Sequence, residues 1–182
     1  MEKIYRNSDE ALDLSAAEML SLWKERLGLN LPHRECTIEV ADSLNVDQRL
    51  AKEIEEWYLQ LLMTAPAEYL PVDDVVAEIE TTITDDLVCE CTLPPHAVRP
   101  VMFQMQGWSQ PITQFHKPSE PIALRQKSPY LRGRQTNPVG VDRGDKILLY
   151  SADSPTSQLI SALCVVRPAN GRYILHRSLL SQ

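Results

Sequence analysis

The chain has 182 residues, of which 43% are apolar, 24% charged and 6% aromatic. This length and composition are sufficient to bury a core in one domain, with or without an appendage, and they exclude a wholly disordered chain. No apolar run approaches the ~20 residues of a transmembrane helix, and the N-terminus has no apolar signal segment, so we expect a chain that is neither membrane-spanning nor secreted. Four cysteines are too few for a disulfide scaffold.

The charge is distributed unevenly along the chain. Residues 1–92 contain 7 Lys and Arg against 21 Asp and Glu, whereas residues 93–182 contain 11 against 4, so the net charges are −14 and +7. One interpretation is that acidic and basic surfaces of different molecules meet, which would steer and orient association. The other is that both halves form solvated surfaces of one domain and partly neutralise each other within the monomer.

An acidic helical region is predicted over residues 1–70. Ser15 and Glu18 have the spacing of a capping box, in which each side chain binds the backbone N–H of the other residue. Apolar residues then recur at helical intervals, which predicts a helix over about 15–27.

Asn45 and Gln48 repeat the capping-box spacing. A second apolar stripe follows, and Pro66 disfavours helical geometry in the residue before it. These features predict a second helix over about 46–64. Together the two helices would form a helical hairpin or part of a small bundle.

An antiparallel β region is predicted over residues 71–182. Apolar and polar residues alternate before and after the turn residues 84–86, which predicts a β-hairpin. Further strands are predicted over 101–105 and 147–150. Asn170-Gly171 lies between two apolar runs and supplies both positive-φ positions of a type I′ turn, which predicts a second hairpin. Helices followed by mostly antiparallel strands indicate an α+β fold, as one compact domain.

Residues 116–146 interrupt this pattern without a periodic element of their own. The segment has a net charge of +4 and is rich in Pro and Gly, which predicts a long, arm-like loop that orders on a partner. Trp108, after Gly107, would lie either in the core or at the surface as an anchor. The candidate interface and arm residues are therefore Arg125, Lys127, Tyr130, Arg132, Arg134, Arg143 and Trp108.

The chain lacks the patterns of common catalytic, cofactor and metal sites. Cys89 and Cys91 would share one face of a strand with their side chains roughly 6.5–7 Å apart, and the other candidate metal ligands, Cys36, Cys164, His33 and His96, are scattered singly. Signature nucleophile and phosphate-binding motifs are absent. We therefore predict no catalytic residues, no cofactor and no metal site. The basic loop could contact phosphates, with Tyr130 stacking on a base, although the acidic half would repel the same polyanion.

Three segments carry a resemblance to a known family. They are Leu93-Pro94-Pro95-His96-Ala97-Val98-Arg99-Pro100-Val101, Tyr130-Leu131-Arg132-Gly133-Arg134 and Gly144-Asp145-Lys146-Ile147-Leu148-Leu149-Tyr150. With the acidic helical first half, they are similar to the tail-adaptor or ring proteins at the head-to-tail connector of tailed bacteriophages. The chain departs from that family at its end, where many adaptors have a helix that docks on the portal.

The resemblance implies a structural protein without catalytic residues. In that family roughly a dozen copies form a ring beneath the portal, and DNA passes through the lumen. It implies self-association, neighbouring connector and portal proteins as partners, possible non-specific contact with DNA, and a location in the virion or in the cytoplasm of the host cell. The alternative is a monomeric cytoplasmic binding module or small hydrolase with a cleft between the helices and the sheet.

Overall fold

The computed structural model describes residues 11–29, 43–152 and 154–181. It confirms the α+β fold: helices precede a set of mostly antiparallel strands. The helices are α1 (Ala16–Arg26), α2 (Ser43–Thr64) and α3 (Pro121–Arg125). The strands are β1 (Ala11–Leu14), β2 (Val72–Asp74), β3 (Glu80–Ile83), β4 (Val88–Thr92), β5 (Ala97–Met105), β6 (Phe115–His116), β7 (Val139–Asp142), β8 (Lys146–Tyr150), β9 (Leu159–Val166) and β10 (Tyr173–His176).

Two compact units make up the described chain. The β unit is Val72–Val166, and the helical unit contains the described residues up to Pro71 together with those from Arg167 onward. The first boundary between the units falls next to the predicted one at 70/71. The C-terminal segment belongs with the helices rather than with the β region, because β10 pairs with β1.

The helical unit begins with the predicted capping box. The Ser15 hydroxyl accepts from the Glu18 N–H, and the Glu18 carboxylate accepts from the Ser15 N–H at 2.8 Å. Helix α1 packs against α2 through the edge-to-face pair Trp23 and Trp57, whose ring centroids are 5.7 Å apart. The helical pairing expected from the two apolar stripes is thus confirmed.

Helix α2 starts earlier than predicted. It begins at Ser43, so Asn45 lies inside the helix and the prediction of a cap there is wrong. Residues spaced three apart also occur within helices, so this spacing alone does not mark the first turn. The C-terminal end agrees with the prediction, because α2 ends at Thr64, before Pro66.

The β unit contains two sheets that share one core. The larger sheet has the strand order β3-β4-β8-β7-β6 and the smaller β2-β9-β5. The predicted hairpin is present as the antiparallel pair β3 and β4. The largest buried cluster draws side chains from both sheets, including Cys89 and Leu149 from the larger sheet and Phe103, Met105 and Cys164 from the smaller.

The Asn170-Gly171 turn has the predicted conformation but not the predicted hairpin. Both residues have positive φ, 61° and 64°. The strands on either side do not pair with each other: β9 pairs with β2 and β5, and β10 pairs with β1. The turn residues determine the local backbone, whereas strand pairing depends on partners distant in sequence.

The segment 116–146 is folded onto the larger sheet over much of its length. Strand β6 pairs in parallel with β7, and α3 buries Ala123 in a cluster with Val88, Val141, Leu148 and Tyr150. The helix has only five residues and β6 only two, which is too short for either to produce a periodic pattern. The arm predicted from composition is therefore anchored by packing, and its exposed part is centred on residues 127–131.

Candidate functional site

Arg132 holds the basic segment to the β3–β4 hairpin. Its Nε donates to the Gln126 carbonyl at 2.9 Å and its Nη1 to the Asp86 carbonyl at 2.9 Å. The Asp86 carboxylate lies 3.4 Å from Nη2. Only 19% of the Arg132 side chain is exposed. Arg132, predicted as an interface residue, therefore has a structural role, because a planar guanidinium can donate to several acceptors at once. We call Arg132 with its contacts to Gln126 and Asp86 the clamp.

Gln126 and Gly133 complete the clamp through a buried hydrogen bond. Gln126 is buried, and its side-chain oxygen accepts from the Gly133 N–H at 2.7 Å. A Cβ at Gly133 would lie 2.8 Å from the Asn137 carbonyl oxygen and 3.1 Å from the Val139 nitrogen. Glycine is needed here for close approach between backbone segments.

Residues next to this clamp form an exposed apolar and basic patch. Tyr130 is 93% exposed and Leu131 is 61% exposed, although both are large apolar side chains in an anchored segment. Ile122 and Leu124 of α3 are also exposed. We call these four residues, with the exposed cations Arg125 and Lys127, the 122–131 patch. Exposed Tyr and Arg held by a rigid scaffold are typical of protein interaction surfaces.

Two cavities flank the clamp within the β unit. The first, of about 600 Å³, is lined by Asp86, Leu87, Pro129, Arg132, Gly133, Arg134, Gln135, Thr136, Ser151 and Ala152. The second, of about 400 Å³, shares the Arg132–Arg134 stretch and also contacts Ile122, Arg125 and Leu131 of the patch. The second cavity thus continues the apolar and basic character of the patch into a groove, and no carboxylate is among its lining residues.

The predicted interface residues fall into three environments. Arg125, Lys127, Tyr130 and Arg134 are exposed on or beside the groove, and Arg143 is exposed in the turn between β7 and β8, where it lines neither cavity. Arg132 is the clamp. Trp108 is a core residue: it is 6% exposed, and its Nε1 donates to the Ser151 carbonyl at 2.7 Å, so it is not a surface anchor.

Some acidic side chains of residues 1–92 form ion pairs with basic side chains of residues 93–182 within the chain. In the β unit Arg132 contacts Asp86, and Lys146 lies 3.7 Å from Glu90. In the helical unit Arg172 contacts Asp13 at 2.6 Å, and Arg167 pairs with Glu55. Among the described residues, Arg125, Lys127, Arg134 and Arg143 make no ion pair. These four exposed cations of the β unit are available to a partner.

The cysteines of strand β4 approach each other more closely than the strand spacing predicted. The Sγ atoms of Cys89 and Cys91 are 3.7 Å apart, and both side chains are buried. Their mutual hydrogen bond and burial raise the pKa of Cys91, and the same hydrogen bond lowers the pKa of Cys89. Burial raises the pKa of Cys164 to about 12. Thiols buried in this way are poor nucleophiles and poor metal ligands, because reagents and metal ions do not reach them.

Among the described residues no group of three or more His, Cys, Asp or Glu side chains is arranged to hold a metal ion. Cys36 and His33, considered as ligands from the sequence, lie outside the described residues.

Two histidines have close polar neighbours, each in a local structural role. His116 Nδ1 lies 2.8 Å from Glu120, whose carboxylate also accepts from the Lys117 N–H at 2.9 Å. The Lys117 N–H and then His116 hold the pKa of Glu120 below its ordinary value. His176 Nδ1 accepts from the Ser178 N–H and lies 2.7 Å from the Ser178 hydroxyl, so it caps the final turn of the chain.

Sequence reasoning missed Gln126 and Ser151. Gln126 organises the clamp, and Ser151 has a positive φ of 97° and lines the larger cavity. Neither residue belongs to a motif. The sequence feature nearest to this site is Gly133 between Arg132 and Arg134. A glycine there is consistent with a close backbone approach, but it does not indicate which of the two arginines is buried.

No protein-family model matches this chain, and neither a curated protein nor a solved structure does so. In the described part of the chain, no helix combines the length and the apolar character needed to cross a membrane.

Proposed function

We propose that this protein is a structural assembly protein, and specifically a subunit of a phage or prophage head-to-tail connector ring. The observation that carries the proposal is the 122–131 patch. It contains a nearly fully exposed tyrosine and three exposed aliphatic side chains, in a segment whose backbone is held by the hydrogen bonds of Arg132 and Gln126. Large apolar side chains in an ordered segment favour association when a partner covers them. The connector assignment is supported by the three sequence segments that resemble that family.

The patch also suits a heterologous contact, in which two different surfaces meet head to tail, as a ring requires. Arg125 and Lys127 are exposed without an ion pair among the described residues, and the chain has an excess of carboxylates in its first half. An acidic surface of a neighbouring copy would pair with these cations while covering Tyr130 and Leu131. In this proposal the partners are further copies of the chain and the adjoining connector and portal proteins, with DNA passing through the lumen, and the protein is not an enzyme.

The experiment compares association of the wild type and patch variants. The chain is co-expressed with the portal and ring proteins encoded beside its gene, and complexes are measured by sedimentation velocity over a range of concentration and salt. Tyr130→Ser with Leu131→Ser should abolish association without changing the circular dichroism spectrum. Ile160→Thr is the matched control, because Ile160 is 57% exposed in the same unit but lies on β9.

Charge is tested separately from apolar contact. Arg125→Glu with Lys127→Glu should weaken association, and the wild-type complex should weaken as salt rises, because exposed charge pairs are screened over ~8 Å at physiological ionic strength and ~3 Å at 1 M. The single variant Arg125→Glu should already weaken association, and Arg143→Glu is its control, since it makes the same charge change outside the patch. A protein that stays monomeric with its portal and ring neighbours present, at every concentration and salt level, would reject the proposal.

A further inference from the structure

The larger cavity beside the clamp has features that the assembly proposal does not use. Its volume of about 600 Å³ is within the range of small-molecule sites. Its walls come from the β3–β4 turn at Leu87, from residues 132–136, and from Ser151 and Ala152 after β8. Backbone contacts hold these walls together: the Ser109 N–H donates to the Gln135 carbonyl at 3.1 Å, and the Ala152 N–H donates to the Leu87 carbonyl at 3.2 Å.

Unfavourable backbone geometry is concentrated at this cavity. Among the described residues, three other than glycine have positive φ, and two of them, Leu87 at 58° and Ser151 at 97°, line the cavity. The third is Asn170 in the Asn-Gly turn, a residue type that tolerates this region. Leucine and serine tolerate it less well, and such strain is found most often at functional sites.

Ser151 carries a second unfavourable feature. Its Oγ is buried and has no hydrogen-bond partner among the described residues. Its carbonyl, in contrast, accepts from Trp108 Nε1 at 2.7 Å, which holds the strained backbone in place. A buried hydroxyl without a partner destabilises the folded state, so its presence calls for a role.

The charges in the lining identify the kind of ligand. Asp86 and Arg132 pair with each other, which leaves Arg134 as the charged lining residue without an ion pair in the described part of the chain. We propose that this cavity binds a small organic anion. Arg134 would hold its carboxylate or phosphate group. Rotation about χ1 would turn the Ser151 hydroxyl from its buried position toward another acceptor of the same molecule. This proposal is independent of the assembly proposal, because none of the six residues of the 122–131 patch lines this cavity.

The test measures binding of two probes, citrate and inorganic phosphate, by thermal shift and by isothermal titration calorimetry, with sodium chloride at matched ionic strength as the reference. We expect at least one probe to raise the Tm above the chloride reference. Arg134→Gln should leave the Tm without probe unchanged and should weaken binding at least tenfold.

Ser151→Gly separates a binding role from a structural one. Glycine tolerates the positive φ and removes the buried hydroxyl, so this variant should have a higher Tm than the wild type without probe and a smaller shift with it. Ser151→Ala, which removes only the hydroxyl, should also reduce the shift and provides the measurement if the glycine variant fails to fold. Asn170→Gly is the control, a positive-φ site in the helical unit that should keep the full shift.

Amide chemical shifts locate the bound probe. The perturbed resonances should include those of Leu87, Thr136 and Ala152. The proposal is overturned if neither probe shifts the Tm beyond chloride, if the Ser151 and Arg134 variants keep the full shift, or if the perturbed amides lie elsewhere. In either of the last two cases the probe is an adventitious ion only.

Discussion

Arg132 and Arg134 should respond very differently to the same substitution, although the sequence places them symmetrically around Gly133. Arg132 donates to the carbonyls of Gln126 and Asp86, whereas Arg134 is exposed and makes no ion pair among the described residues. Hydrogen bonds from a charged donor are each worth ~1.5–3 kcal/mol, and the exposed ion pair with Asp86 adds ~0–1 kcal/mol.

In Arg132→Ala the Gln126 and Asp86 carbonyls would accept hydrogen bonds from water instead, which offsets part of the loss. We therefore expect this substitution to lower the free energy of unfolding of the β unit by about 2–4 kcal/mol. This is a large share of the ~5–15 kcal/mol of a whole domain. Arg134→Ala should change it by less than about 0.5 kcal/mol, as for most surface substitutions. Arg132→Lys should recover little, because an ammonium group lacks the planar fork that reaches separate acceptors.

The assay is urea denaturation followed by the fluorescence of a single tryptophan. Of the three tryptophans, Trp108 lies in the β unit and the other two in the helical unit. Replacing Trp23 and Trp57 by Phe leaves Trp108 to report on unfolding of the β unit. Equal effects of Arg132→Ala and Arg134→Ala, within 0.5 kcal/mol (about a twofold difference in the unfolding equilibrium constant), would refute the clamp.

Three further predictions concern other parts of the fold. Gly133→Ala should lower the urea midpoint markedly, because the added methyl group meets backbone atoms that cannot rotate away; an unchanged midpoint would contradict the close approach. Cys89, Cys91 and Cys164 should react with N-ethylmaleimide at neutral pH only after unfolding, as measured by peptide mass spectrometry, and fast labelling of the native protein would be inconsistent with their burial. The Ser15 hydroxyl and backbone hold the pKa of Glu18 below its ordinary value of about 4.3, so its stabilisation is present above that pH and is lost as the pH falls through the folded value. Glu18→Gln should therefore reduce the loss of helical circular dichroism on acidification, and an identical acid titration would argue against the capping box.

The sequence by itself determined the features that depend on neighbours along the chain. The capping box of α1, the apolar and polar alternation of β4, and the positive φ values of Asn170 and Gly171 all agree with prediction. In each case the physical cause acts within a few residues: a side chain reaching the next turn, a side-chain period of two, or a residue that tolerates positive φ.

Tertiary structure decided which distant residues meet. The Asn-Gly turn could not show that β9 and β10 would pair with different strands, because pairing depends on segments up to 165 residues away, as for Ala11 and His176. Likewise Arg132 and Arg134 have the same local context, and only the approach of Asp86 and Gln126 makes one a clamp and leaves the other exposed. The strained Ser151 at the cavity wall has no local signal, since serine is an unremarkable residue until the fold gives it a φ of 97° and buries its hydroxyl. Non-local contacts of this kind carry the candidate site, which is why a single sequence predicts the fold class better than the site.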